Sequence, residues 1–109
     1  MNDIKQITEA LLKFRDERDW EQFHNPKDLA LALNIEAGEL LEAFLWKSSE
    51  QADIDTVKEE LADVLAFAFL LADKYGLDVK QIVLEKIEKN ALKYPVAKSK
   101  GSAKKYTEL

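Results

Sequence analysis

The sequence predicts an all-α domain built from four helices. Three observations predict it. Apolar residues recur at helical spacing in four separate stretches of the 109-residue chain. Residues that start or stop helices bracket those stretches. Three Gly and two Pro suit long uninterrupted helices better than many turns.

The first helix is expected from Asp3 to Arg18, with a stripe of Ile4, Ile7, Leu11, Leu12 and Phe14 and a capping box of Asp3 and Gln6. The segment Asp19–His24 breaks the period. In the second helix Asn25 is the N-cap, Pro26 the first helical residue, and Asp28 adds negative charge to the first turn. This helix is expected from Lys27 to Lys47. It is apolar on most sides, its exceptions up to Trp46 being Asn34, Glu36, Gly38, Glu39 and Glu42. Gly38 lowers helix propensity, which points to the close approach of another backbone or a ligand. Ser48–Asp53 is a polar connection. The third helix is expected from Ile54 to Tyr75, closed by Gly76. The fourth starts with the capping box Asp78 and Gln81, carries the stripe Val79, Ile82, Val83, Ile87 and Ala91, and ends at Pro95. Residues 1–95 thus form the helical domain. Residues 96–109, with Lys98, Lys100, Lys104 and Lys105 around Gly101, read as a flexible basic tail.

Composition narrows the function. The chain is 47% hydrophobic and 34% charged, so it is globular. With no Cys, a disulfide scaffold, a thiolate zinc site and a cysteine nucleophile are excluded, and a reducing cytoplasm fits. The longest apolar run, Val64–Ala72, is too short to span a membrane, and the opening MNDIKQITEA is not a signal peptide. A cytoplasmic protein without a membrane partner is expected. A net charge of −5 argues against a nucleic-acid polymer as partner. Helices two and three are too apolar for a lone small monomer to cover, so a homodimer or a dimer-of-dimers tetramer is expected.

Two acidic pairs carry the chemistry. Glu36 and Glu39 are three residues apart, as are Glu60 and Asp63, so each pair lies on one helix face. Glu36 shares its face with Leu29, Leu33, Leu40 and Ala43, and Glu60 shares its face with Val57, Val64, Phe67 and Leu71. The acids are therefore expected to point toward the core, where unpaired charge is costly. Glu-x-x-Glu is common on solvated helices, as Glu39 and Glu42 illustrate, but two pairs embedded in apolar stripes on successive helices point to a metal. All-oxygen ligands suit Mg²⁺, with Mn²⁺ as a substitute. A di-iron bundle would need Glu-x-x-His twice, and the single His24 lies outside both helices. Mg²⁺ keeps positions open for substrate phosphates, so metal-assisted hydrolysis of a phosphoanhydride is the implied reaction.

The run Glu36-Ala37-Gly38-Glu39-Leu40-Leu41-Glu42 followed by Glu60-Leu61-Ala62-Asp63-Val64-Leu65 resembles the MazG-like all-α nucleoside triphosphate pyrophosphohydrolases. Arg18–His24, Phe44–Lys47, Lys89-Asn90 and Tyr94-Pro95 are similar to the dCTP pyrophosphatase-like branch. The resemblance implies a four-helix MazG-like bundle forming dimers or dimer-based tetramers. It implies that Mg²⁺ is held by Glu36, Glu39, Glu60 and Asp63, and that a (deoxy)nucleoside triphosphate gives the monophosphate and pyrophosphate in nucleotide-pool cleansing. The leading substrate is dCTP or a related pyrimidine nucleotide. Trp20, His24 and Trp46 would line the base and sugar pocket, while Lys86, Asn90 and Tyr94 would meet phosphates or sugar. Family members often carry Tyr one turn after the last acid. Here that position is Phe67, so either some phosphate contact shifts to Lys47, Lys86 or the tail, or affinity is lower.

Each supporting residue also has a plainer role. Trp46 can simply pack at a helix end, His24 can be a loop residue, Lys86 lies in a charged run, Asn90 sits near a helix end, and Tyr94 can pack the chain exit. Two other functions compete. One is phosphoribosyl-ATP hydrolysis, which the aromatic blocks at Trp20 and Trp46 disfavour. The other is a non-catalytic helical assembly protein, which the presence of all four acids disfavours.

Overall fold

The structure, a computed structural model, describes residues 2–109 and is all-helical among them. Its helices are α1 (Asp3–Glu17), α2 (Pro26–Glu42), α3 (Ile54–Lys74), α4 (Val79–Lys93) and the one-turn α5 (Val96–Ser99). Short 3-10 turns occupy Glu21–Phe23, Ser49–Gln51 and Tyr106–Glu108. The chain divides into two compact units, the first ending at Leu77 and the second comprising Asp78–Leu109. No helix among the described residues is long and apolar enough to cross a membrane.

The first unit is organised by α3, which packs mainly along α2 and to a lesser extent against α1. Sequence fixes the helix starts. Asn25 Oδ1 accepts the backbone N–H of Asp28 at 2.9 Å, with Pro26 at the first helical position as expected. Asp53 caps α3, its Oδ2 accepting the Thr56 hydroxyl at 2.8 Å and the Thr56 N–H at 3.3 Å. The Thr56 hydroxyl is the main reason the Asp53 carboxyl lies below its usual range. Asp53→Ala is expected to lower the denaturation midpoint, as the loss of a helix N-cap does.

Several local expectations are corrected. The cap of α1 is Asn2, whose Oδ1 accepts Lys5 N–H at 3.2 Å, and Asp3 is the first helical residue. The reciprocal half of the box at Asp78 is missing, because the Gln81 side chain donates to Glu85 at 2.9 Å while Asp78 accepts the Gln81 N–H. Helix α2 stops at Glu42 instead of Lys47. Beyond it Ala43, Phe44, Leu45 and Lys47 each donate to the carbonyl three residues back, and Trp46 takes φ +60, which turns the chain out of the helix. A methyl group added at Gly38 would meet nothing within 4 Å, so no close approach in this chain accounts for that glycine. The tail also has local structure, in α5 and the Tyr106–Glu108 turn.

Burial is sparse. Leu29, Ala43, Leu70 and Ala72 are the buried apolar side chains among the described residues. Leu31, Ile35, Leu41, Leu45 and Trp46 along and just after α2, and Leu61 and Leu65 on α3, stay exposed.

Candidate functional site

The packing of α2 on α3 turns two linear i, i+3 pairs into one cluster. Glu36, Glu60 and Asp63 each present an oxygen within 4.8 Å of the others. Glu39 adjoins them and acts on the Glu36 and Glu60 carboxyls by hydrogen bonding and charge. The expectation that all four point at the core is corrected. Glu36 and Glu60 are half-buried, whereas Glu39 and Asp63 are exposed. The cluster forms a mouth, with two acids set into the helix interface and two on its rim.

The electrostatics follow from that placement. The Glu36 carboxyl is pushed up to about 7, first by burial, then by the hydrogen bond and charge of Glu39 and the charges of Asp63 and Glu60. Glu60 is also raised, by burial first and then by Glu39, Asp63 and Glu59. Oε2 of Glu36 and Oε2 of Glu60 are closed to solvent and have no hydrogen-bond partner. Buried polar atoms without partners are rare in folded proteins. No ion pair within 4.0 Å relieves these acids among the described residues, where the pairs are Arg15–Asp16, Arg15–Glu21 and Lys74–Glu21. Two orphaned oxygens within a set of purely oxygen donors fit a hard divalent cation such as Mg²⁺ or Mn²⁺.

Two grooves of the first unit border the cluster. One, about 480 Å³, is polar and is lined by Glu39, Glu42, Lys47, Asp53, Thr56 and Glu60. The other, about 380 Å³, is largely apolar and is lined by Phe14, Trp20, His24, Asp63, Phe67 and Leu70 among others. Trp20 meets Phe14 edge-on at 5.8 Å and 72°, and His24 meets Phe67 at 6.4 Å and 61°. Burial, followed by the charges of Arg15 and Lys74, lowers the His24 pKa, so the imidazole is neutral at pH 7. Its Nδ1 is closed to solvent and has no hydrogen-bond partner.

The structure therefore brings Trp20, His24 and Lys47 to grooves bordering the acids. Trp46 lines neither groove. It is 94% exposed on its left-handed turn. Lys86, Asn90 and Tyr94 belong to the second unit, where Lys86 is exposed, Asn90 is half-buried, and Tyr94 meets Tyr106 edge-on at 6.0 Å. Sequence reasoning missed Phe14 and Arg15 as groove residues. Phe14 reads as part of the α1 stripe. Arg15 is held at 11% side-chain exposure by Asp16 at 2.8 Å and by Glu21 across the turn at 3.5 Å, a contact no local spacing announces.

Comparison with known proteins gives a consistent answer. The model of the MazG-like family matches residues 31–109, which takes in both acidic pairs and the C-terminal run. The chain is 42% identical to dCTP pyrophosphatase 1 of Mus musculus and 39% identical to that of Homo sapiens, in each case over 97% of its own length and 67% of the relative's. A crystal structure of a pyrophosphatase from Archaeoglobus fulgidus superposes with a TM-score of 0.81 at 37% identity, covering 87% of this chain and 94% of that one. The all-helical fold, the acidic pairs on α2 and α3 and these likenesses agree, and the chain belongs to the MazG-like family.

Proposed function

We propose that this protein is a Mg²⁺-dependent nucleoside triphosphate pyrophosphohydrolase that converts dCTP or a related pyrimidine deoxynucleotide to the monophosphate and pyrophosphate. The observation that carries the reading is the pair of buried, unpartnered oxygens on Glu36 and Glu60 at the mouth of a four-acid cluster. The relatives named dCTP pyrophosphatase support the substrate. Glu36, Glu60 and Asp63 hold the ion, and Glu39 completes the set. When bound, the ion supplies charge neutralisation for the phosphates and acidifies a water molecule.

The chain's own side chains do the remaining work. Glu39, exposed at the rim of the cluster, takes a proton from the attacking water. Lys47, in the polar groove, offers a charge to the triphosphate. The apolar groove receives the base, with Trp20 as its stacking face and neutral His24 as its hydrogen-bonding group. Trp20→Ala is expected to lower kcat/KM for dCTP by about 10- to 100-fold, since stacking on an aromatic side chain is worth roughly 1–3 kcal/mol per base. Steady-state kinetics check this.

Self-association is part of the proposal. A homodimer or homotetramer covers the apolar residues left exposed on α2 and α3, and brings Trp46 against a second copy. Sedimentation at micromolar concentration should give twice or four times the 12.5 kDa chain mass. A monomer contradicts it. The nucleotide substrate and the cysteine-free composition fit a cytoplasmic setting.

The function is tested by a panel of canonical and modified nucleoside triphosphates, with phosphoribosyl-ATP included, assayed for pyrophosphate and orthophosphate separately. Pyrophosphate release strongest with a pyrimidine deoxynucleotide is expected. Orthophosphate release, or no turnover with Mg²⁺ or Mn²⁺, overturns the reading.

A further inference from the structure

The second compact unit contains a run, KYPVAKSKGSAKK from Lys93 to Lys105, that carries Lys93, Lys98, Lys100, Lys104 and Lys105 and no acidic residue, in a chain of net charge −5. The structure folds this run into a closed loop. Residues Val96–Ser99 make one helical turn, Ser102 N–H donates to Ser99 O at 3.0 Å, and Gly101 reverses the chain at φ +78. Ser102 Oγ then accepts Lys104 N–H at 3.2 Å. Tyr106 closes the loop on the end of α4. Its ring meets Tyr94 edge-on at 6.0 Å and 83°, and Lys93 Nζ lies 5.0 Å from its centroid.

The loop carries four like charges within residues 98–105. Lys98, Lys100, Lys104 and Lys105 are exposed, and among the described residues none pairs with an acid within 4.0 Å. Unpaired charges of one sign so close in sequence raise the local positive potential, which attracts an anion. A second feature points the same way. Ser99 Oγ, within the loop, is closed to solvent and has no hydrogen-bond partner. A hydroxyl donor without a partner, in a loop that carries four ammonium groups, is the complement of a compact, multiply charged oxyanion.

We propose that the loop from Lys98 to Lys105, closed by Tyr106 on Tyr94, is a binding element for the polyphosphate group, with pyrophosphate as its smallest full ligand. The inference deepens the proposed function, on which the choice of anion rests. Four lysines match the charge of pyrophosphate or a triphosphate chain better than that of a single phosphate. The acidic balance of the whole chain disfavours a nucleic-acid strand. Tyr106 acts as a positioning residue. It fixes where the lysines stand and touches no phosphate itself.

The experiment is calorimetric titration of the full chain with inorganic pyrophosphate in excess EDTA, where the acidic cluster repels the ligand and only a cationic element can bind it. The wild type should bind with an affinity that falls steeply as salt rises. Lys104→Gln/Lys105→Gln should weaken binding by roughly tenfold or more, since charge-assisted hydrogen bonds are lost. Tyr106→Ala should also weaken it, although it changes no charge. Glu9→Gln, on α1 and outside the acidic cluster, should leave it intact. No binding by the wild type, wild-type affinity in the lysine or the Tyr106 variant, or equal affinity for sulfate or a short single-stranded oligonucleotide each overturns the proposal. Pyrophosphate binding in EDTA without turnover of any nucleotide in Mg²⁺ would sink the proposed function and leave this inference standing.

Discussion

Asp63→Asn and Glu39→Gln are each expected to remove turnover, by a factor on the order of 10³, the scale seen when a principal charge-stabilising group is taken from an active site. Neither should lower the melting temperature of the metal-free protein. Asp63 and Glu39 both raise the Glu36 carboxyl through their negative charge, so converting either to an amide relieves repulsion inside the cluster. Both residues are exposed, so the change opens no cavity. Loss of activity with unchanged or higher stability in EDTA is the signature of acids kept for chemistry. A variant that retains normal Mg²⁺-dependent rates, checked by pyrophosphate release, refutes the assignment of that residue.

Metal removal should make stability fall as pH rises. The Glu36 carboxyl stands at about 7 in the fold against its usual 4.5, and Glu60 is shifted in the same direction. A carboxyl with a raised folded-state pKa holds its proton in the folded state after the unfolded chain has lost it. Its contribution is therefore present at low pH and is lost as pH climbs from about 4.5 to about 7. The melting temperature in EDTA should decline across that window. Saturating Mg²⁺ or Mn²⁺ should raise it strongly at pH 7.5 and weakly at pH 5, because the ion competes with protons for the same oxygens. A metal-free melting curve that rises or stays flat across this window contradicts the electrostatics of the cluster.

The parts of this protein that were legible in its sequence are those governed by short-range spacing. Asn25-Pro26 sets the start of α2 through a contact three residues long. Glu36 with Glu39, and Glu60 with Asp63, needed only helical periodicity to be paired. What escaped depends on contacts between segments. That Glu39 and Asp63 sit on the rim while Glu36 and Glu60 are half-buried is decided by how α2 lies on α3. The end of α2 was misjudged because Phe44-Leu45-Trp46 continues the apolar pattern, yet the backbone there tightens into three-residue bonds and Trp46 turns left-handed. Composition alone describes the tail as a basic arm and gives no hint that Tyr106 meets Tyr94.

Mn²⁺ titration followed by the electron paramagnetic resonance signal of the free ion addresses the acidic cluster most directly. The wild type should take up the ion. Glu36→Gln, Glu60→Gln and Asp63→Asn should each weaken that uptake by roughly tenfold or more, as the loss of a charged ligand predicts, while Glu9→Gln, on α1 and outside the cluster, should not. If the wild type leaves Mn²⁺ free in solution, or if all three variants bind it as the wild type does, the acids do not form a metal site and the account of this protein as a metal-dependent hydrolase fails.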